Sequence, residues 1–138
     1  MTDQPCTFCA LDDPEMTVYQ DAHFQAIVSR APINQCHVLI VPRLHVERLP
    51  DLPPIVAAAA IHAAQRIGRA MSKTANVDGV TYITEDDLTG QGYNLVAHWK
   101  LHVIARFRDD AVRLEWNRTA DPGPAVRARI AAGIRELS

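Results

Sequence analysis

His98, Lys100 and His102 alternate with Trp99 and Leu101 in a stretch that reads as a β-strand. In an extended chain alternate side chains share a face and recur roughly every 6.5–7 Å along it. The three basic groups are therefore expected to project one way, and Ala97, Trp99, Leu101 and Val103 the other. A row of three nitrogen-bearing groups can coordinate a metal, neutralise a phosphate, attack an electrophile or shuttle a proton. A solvent-facing strand with incidental polar residues carries the same pattern, so the motif alone leaves the chemistry open.

A second chemical signal lies at the other end of the chain. The sequence has three cysteines, and two of them, Cys6 and Cys9, form a C-x-x-C pair. An odd count argues against a disulfide framework. A redox pair belongs at a helix start within a βαβ unit, whereas Asp12-Asp13-Pro14 follows this one. Metal ligation is the better reading, and it requires two further ligands.

The elements that must position these groups are legible from periodicity. Thr17–Gln20 and Phe24–Ser29, separated by Asp21-Ala22, predict a hairpin. The apolar run from His37 to Pro42 predicts the central strand. Asp51 is the expected N-cap of a long helix, with Pro53 and Pro54 in its first turn, where a missing N–H costs nothing. Val56, Ala59, Ala60, Ala63, Ile67, Ala70 and Met71 form its apolar stripe, and Asn76–Gly79 ends it. Strands are expected over Val80–Thr84 and Leu95–Arg106, with a shorter one over Val112–Trp116. Pro122-Gly123-Pro124 introduces a terminal helix with Val126, Ile130, Ile134 and Leu137 on one side. His23 reads as a surface or strand-edge residue, His62 as lying on or beside the core face of the long helix, and Cys36 as a small buried residue. The order predicts an α+β fold: a mostly antiparallel sheet of about five strands, one long central helix and a C-terminal helix. No repeat or linker divides residues 1–138.

Composition narrows the function classes. The chain of 138 residues is 48% hydrophobic and 22% charged, which fits one packed domain rather than disorder. A net charge of -2 without a basic block gives no footprint for nucleic acid. No apolar leader or spanning run stands out, so a cytoplasmic protein without a membrane partner is expected.

Four separated segments now come together: Cys6-Thr7-Phe8-Cys9, the Val18–Asp21 step, the stretch from His37 through Pro42-Arg43-Leu44 to His45, and His98–Arg106. In this order and spacing the chain resembles the histidine-triad (HIT) superfamily of nucleotide hydrolases and transferases, from Cys6 to about Asp110. The resemblance implies a HIT-like fold, a twofold dimer and a small-molecule substrate, either a nucleotide or another anion; Trp99 and Trp116 each fit a place at the dimer interface or, at least as well, in the core. It also implies a structural zinc ion held by Cys6, Cys9, His45 and His98. A Cys₂His₂ set has the softness and number for a closed site.

The reactive half departs from the family pattern. The middle histidine of the triad, the family's nucleophile, is Lys100 here. A lysine binds phosphate well but attacks only when its pKa is lowered. The aspartate that holds ribose hydroxyls falls on Ser29, and the glutamine before the triad on Asn94, while Gly90-Gln91 lies two residues too far upstream. The resemblance implies catalytic roles for Lys100, His102 and His37, and substrate contacts for Ser29, Asn94 and Arg106. Glu85, Asp86 and Asp87 would repel phosphate if turned inward, and the expected arrangement is outward, as a solvated loop. Three functions remain open at this point: a variant hydrolase or nucleotidyltransferase, which includes one acting on a non-nucleotide substrate; a non-catalytic anion-binding module; and a protein whose zinc serves only structure.

Overall fold

The computed structural model describes residues 5–74, 76–87, 89, 92–113 and 119–138. Five strands form one sheet: β1 (Thr17–Gln20), β2 (Phe24–Val28), β3 (His37–Pro42), β4 (Gly79–Ile83) and β5 (Leu101–Arg106). Their order is β1-β2-β3-β5-β4, with every neighbouring pair antiparallel. The predicted hairpin and central strand are both present, and β3 is the middle strand of the five. Helix α1 (Pro54–Met71) carries the chain from β3 to the edge strand β4, and β5 then returns between them.

Alternation along the strands sorts the sheet into two faces. Phe24, Ala26, Val38, Ile40, Leu101, Val103 and Ala105 meet Val56, Ala60, Ala63, Ala64, Ile67 and Met71 of α1 in the main core. Ile27, Leu39 and Val41 face the opposite way and are covered by Phe8 and Leu11 from the N-terminal segment. That second face carries the chemistry.

Several boundaries differ from the sequence reading, each for a local reason. α1 has Pro53 as its N-cap, without a side-chain cap. Asp51 instead closes a 3₁₀ turn (Leu49–Asp51) and pairs with Arg48 at 3.0 Å. Strand β5 starts at Leu101 rather than Leu95, because the preceding backbone bonds elsewhere: His98 N–H donates to Val96 and Trp99 N–H to Val46. The last helical turn is followed by Asn76 at φ 70°, a left-handed conformation that asparagine tolerates. Ala70 and His62 are exposed, His23 and Cys36 half-buried. Val112 and Arg113 lie outside any strand, and the rest of the expected Val112–Trp116 strand, with Trp116, lies outside the described residues, as does Gly90-Gln91. Helix α2 (Pro124–Leu137) forms as predicted, yet no residue on it is buried; Ile130, Ile134 and Leu137 are exposed. Among the described residues no helix is long and apolar enough to cross a membrane.

Candidate active site and metal centre

Cys6, Cys9, His45 and His98 come from three separate segments and converge, their ligand atoms all within 4.8 Å of one another. Cys6 Sγ lies 3.4 Å from His98 Nδ1, Cys9 Sγ 3.7 Å from the same nitrogen, and Cys9 Sγ 3.2 Å from His45 Nδ1. Around a tetrahedral zinc ion a thiolate sulfur and an imidazole nitrogen sit about 3.6 Å apart, given bond lengths of about 2.3 and 2.0–2.1 Å. The spacing fits. The tautomer fits as well: a carbonyl only accepts, so the 2.9 Å contact between His98 Nε2 and Pro42 O requires the proton on Nε2. Nδ1 is then bare and turned toward the cysteines, held by an outer hydrogen bond of the kind that orients metal-binding histidines. His98 is fully buried, and that burial pushes its imidazolium pKa down, against the Pro42 hydrogen bond.

His37 and His102 form a second pair, joined from His37 Nε2 to His102 Nδ1 at 2.9 Å. The direction of this bond follows from its neighbour. The backbone N–H of Ile33 donates to His37 Nδ1 at 3.2 Å, so the His37 proton sits on Nε2 and is donated to His102 Nδ1. His102 in turn carries its proton on Nε2, where it is a fixed hydrogen-bond donor. Burial is the main cause that pushes the His102 pKa down to about 4, with the charges of His37 and Lys100 adding to it. Burial lowers His37 in the same sense.

This pair makes acid stability a measurable property of the site. A histidine with a folded-state pKa depressed from 6.5 to about 4 stays neutral while the unfolded chain takes up a proton. Stability is therefore complete above pH 6.5 and is lost as pH falls toward 4. Urea midpoints measured between pH 7 and pH 4 should fall steadily, and His102→Gln should flatten that fall. An equal slope in the variant would exclude His102 as its source.

Lys100 is buried, at 7% exposure. Its Nζ donates to Asn94 Oδ1 and, at 3.1 Å, to Val96 O, and it sits 5.3 Å from the centre of the Phe8 ring. Burial holds its pKa below the ordinary lysine range, partly opposed by Cys6. Lys100, His37, His102, Ser29, Phe8 and Leu39 are among the walls of a cavity of about 430 Å³. The alternation predicted for the H-x-K-x-H row thus survives although only His102 belongs to β5.

Of the three predicted substrate contacts, Ser29 lines this cavity, its Oγ accepting from Ala31 N–H at 3.3 Å. Asn94 orients Lys100. Arg106 is occupied within the protein: it grips Asp110 through two 2.8 Å hydrogen bonds and also reaches Thr81 Oγ1 and Val112 O. That grip holds Asp110 far below the usual carboxylate range and pins the loop after β5. The acidic run turns to backbone amides. Glu85 accepts from Tyr93, Asp86 from Leu49 and Asp87 from Thr89. Sequence reasoning missed Phe8 and Leu11 as cavity walls; the available signal was their apolar character within and just after the C-x-x-C pair.

Comparison with known proteins identifies the family and the fold. The HIT domain model matches residues 11–109. A HIT-like protein of Mycobacterium tuberculosis is 34% identical over 72% of this chain and 70% of its own length. Adenylylsulfatase HINT3 of Arabidopsis thaliana is 28% identical over 78% of this chain and 55% of its own. Among solved structures, a HIT family member from Bacillus subtilis superposes with a TM-score of 0.84 at 25% identity, covering 96% of both chains. A zinc-bound histidine triad family protein from Mycobacterium smegmatis superposes at 0.69 and 30% identity, covering 96% of this chain and 95% of that one. With more than half of its residues matched by the family model and its sheet, helix and signature segments in the family order, this chain belongs to the HIT domain family.

Proposed function

We propose that this protein binds a nucleoside monophosphate group in the cavity of Lys100 and His102 and acts, as HIT proteins do, as a hydrolase or transferase at its phosphorus. The observation that carries the reading is the convergence of Lys100, the His102 donor and Ser29 on one cavity beside a Cys₂His₂ metal set. Zinc would be held by Cys6, Cys9, His45 and His98 and would supply structure, since four protein ligands leave no open position for substrate.

Lys100 is read as the phosphate clamp. Asn94 Oδ1 and Val96 O hold two of its protons, and the Phe8 ring favours the cation. One Nζ position remains for an anion. His102, neutral with its proton on Nε2, donates a second hydrogen bond to the charge that builds on the phosphoryl oxygens. Ser29 O–H is free to donate to a sugar hydroxyl. Transfer then proceeds by single displacement. An oxygen of water or another acceptor forms the new bond to phosphorus, the bond to the leaving group breaks with its electron pair, and the acceptor's proton passes through solvent to the leaving group. A second reading, a covalent lysine intermediate, is favoured by the burial of Lys100, because a deprotonated amine would place a lone pair where the clamp has its third proton.

Acid-quenched intact mass after mixing with an adenosine 5′-phosphoramidate, together with turnover, separates these readings. Turnover without adduct supports the clamp. An adduct mapping to Lys100 establishes the covalent route. Tight AMP binding without turnover of any phosphoester or phosphoramidate overturns the enzyme reading and leaves an anion-binding module.

A further inference from the structure

A second cavity, of about 600 Å³, lies beside the first. The smaller one spreads over β2 and β3 through Ile27, His37 and Leu39, the larger over β4 and β5 through Thr81, Ile83 and Ile104. His102, Ile33 and Tyr93 line both, so the two meet at the side chain that donates toward substrate. Their charges are opposite. Among the described residues the smaller cavity has Lys100 and Arg30 in its lining and no carboxylate, with Arg30 paired to Asp13 at 3.3 Å and Lys100 free of any carboxylate. Among the described residues the larger has Glu85, Asp109 and Asp110 against Arg113, and its floor is apolar. Asp110 is paired with Arg106 at 2.8 Å, so among the described lining residues the carboxylates with no cation against them are those of Glu85 and Asp109.

We infer that the larger cavity receives the half of the substrate that departs, and that this half is an apolar group, neutral or cationic, rather than a second phosphate. This rests on the reading of the smaller cavity as the site of the phosphoryl anion. An anion centred between Lys100 and His102 finds its counter-charges on one side. A group continuing across His102 meets carboxylates and hydrocarbon, where a phosphate would be repelled and an aryl or alkyl chain would be desolvated. The molecule is built for a substrate with one anionic centre and an apolar tail, and against polyphosphates.

The test uses stable, nucleotide-free probes on the full, zinc-loaded chain, with AMP alongside. Calorimetry should show 3-phenylpropylphosphonate binding at least tenfold tighter than methylphosphonate, and pyrophosphate no tighter than inorganic phosphate. Val112→Trp, which fills the larger cavity from its loop wall, should erase the phenylpropyl gain while leaving methylphosphonate and AMP unchanged. Asp109→Lys, on the exposed rim, should raise pyrophosphate affinity at least fivefold. A phenylpropyl gain that persists in Val112→Trp would put the ring elsewhere and overturn the inference, as would pyrophosphate binding tenfold tighter than phosphate in the native chain. AMP binding no better than phosphate, with the phenylpropyl pattern intact, would remove the nucleotide from the proposed function and leave this inference standing.

Discussion

Lys100→Met is expected to weaken AMP binding by about 10- to 100-fold, the effect of removing one charge-assisted hydrogen bond worth about 1.5–3 kcal/mol. Methionine keeps the unbranched stem against Phe8 and removes only the charge, so the folded state should persist. Asn94→Ala should weaken binding less, by severalfold, because it frees the ammonium without removing it. The opposite substitution tests the family comparison. Lys100→His restores the residue that the HIT pattern has at this position, flanked by the His37–His102 pair. Its lone pair can form a P–N bond while the leaving group departs with its electrons, so a nucleotidyl adduct should appear in quenched mass spectra where the native chain gives none. Gain of an adduct in Lys100→His with none in native protein would show that the pocket is complete except for its nucleophile. An adduct of equal yield in both would end the clamp reading.

Removing metal should be the more disruptive change to the fold. Cys6 and Cys9 flank Phe8, whose ring meets the His98 ring at 5.7 Å and the Lys100 ammonium at 5.3 Å. Leu11, two residues on, covers Ile27, Leu39 and Val41 together with Phe8. One short segment therefore carries two of the four proposed zinc ligands and part of the wall of the smaller cavity. Chelation, or His98→Ala, should lower Tm by more than about 10 °C, corresponding to a loss of about 3 kcal/mol or more in a chain of this size. The chain's other lysine, Lys73, is exposed at the end of α1 and serves as an internal reference. Acylation of Lys100 relative to Lys73, read by peptide mass, should rise at least fivefold when zinc is stripped and should rise likewise in Phe8→Ala with zinc bound. An unchanged ratio on chelation would mean that the N-terminal segment holds its place without metal.

The chemistry-bearing residues were legible in the sequence because side-chain type and spacing are local properties. Period-two alternation assigned His98, Lys100 and His102 to one face, and the apolar run from His37 to Pro42 marked the middle strand, since a strand covered on both sides must be apolar throughout. Helix α1 was visible through its 3.6-residue stripe, and its exact start was not, because Pro53 and Asp51 compete for the same role and tertiary context decides between them. The Cys₂His₂ set was recognised through family likeness, as ligands 89 and 92 residues apart leave no local trace.

Tertiary structure alone decided which polar groups were free. Arg106 looked available for substrate until Asp110, Thr81 and Val112 were found around it, and three adjacent carboxylates proved to be caps on distant or local amides. The proton positions on His37 and His102 follow from the amide of Ile33, a contact that no pattern in side-chain types encodes. The division of the open face into a basic and an acidic cavity likewise depends on the loop after β5 folding back over β4. A sequence determines which groups exist and which face each strand offers. Only the packed chain determines which of them remain unpaired, because hydrogen bonds and ion pairs are made by whatever the fold brings within about 3 Å.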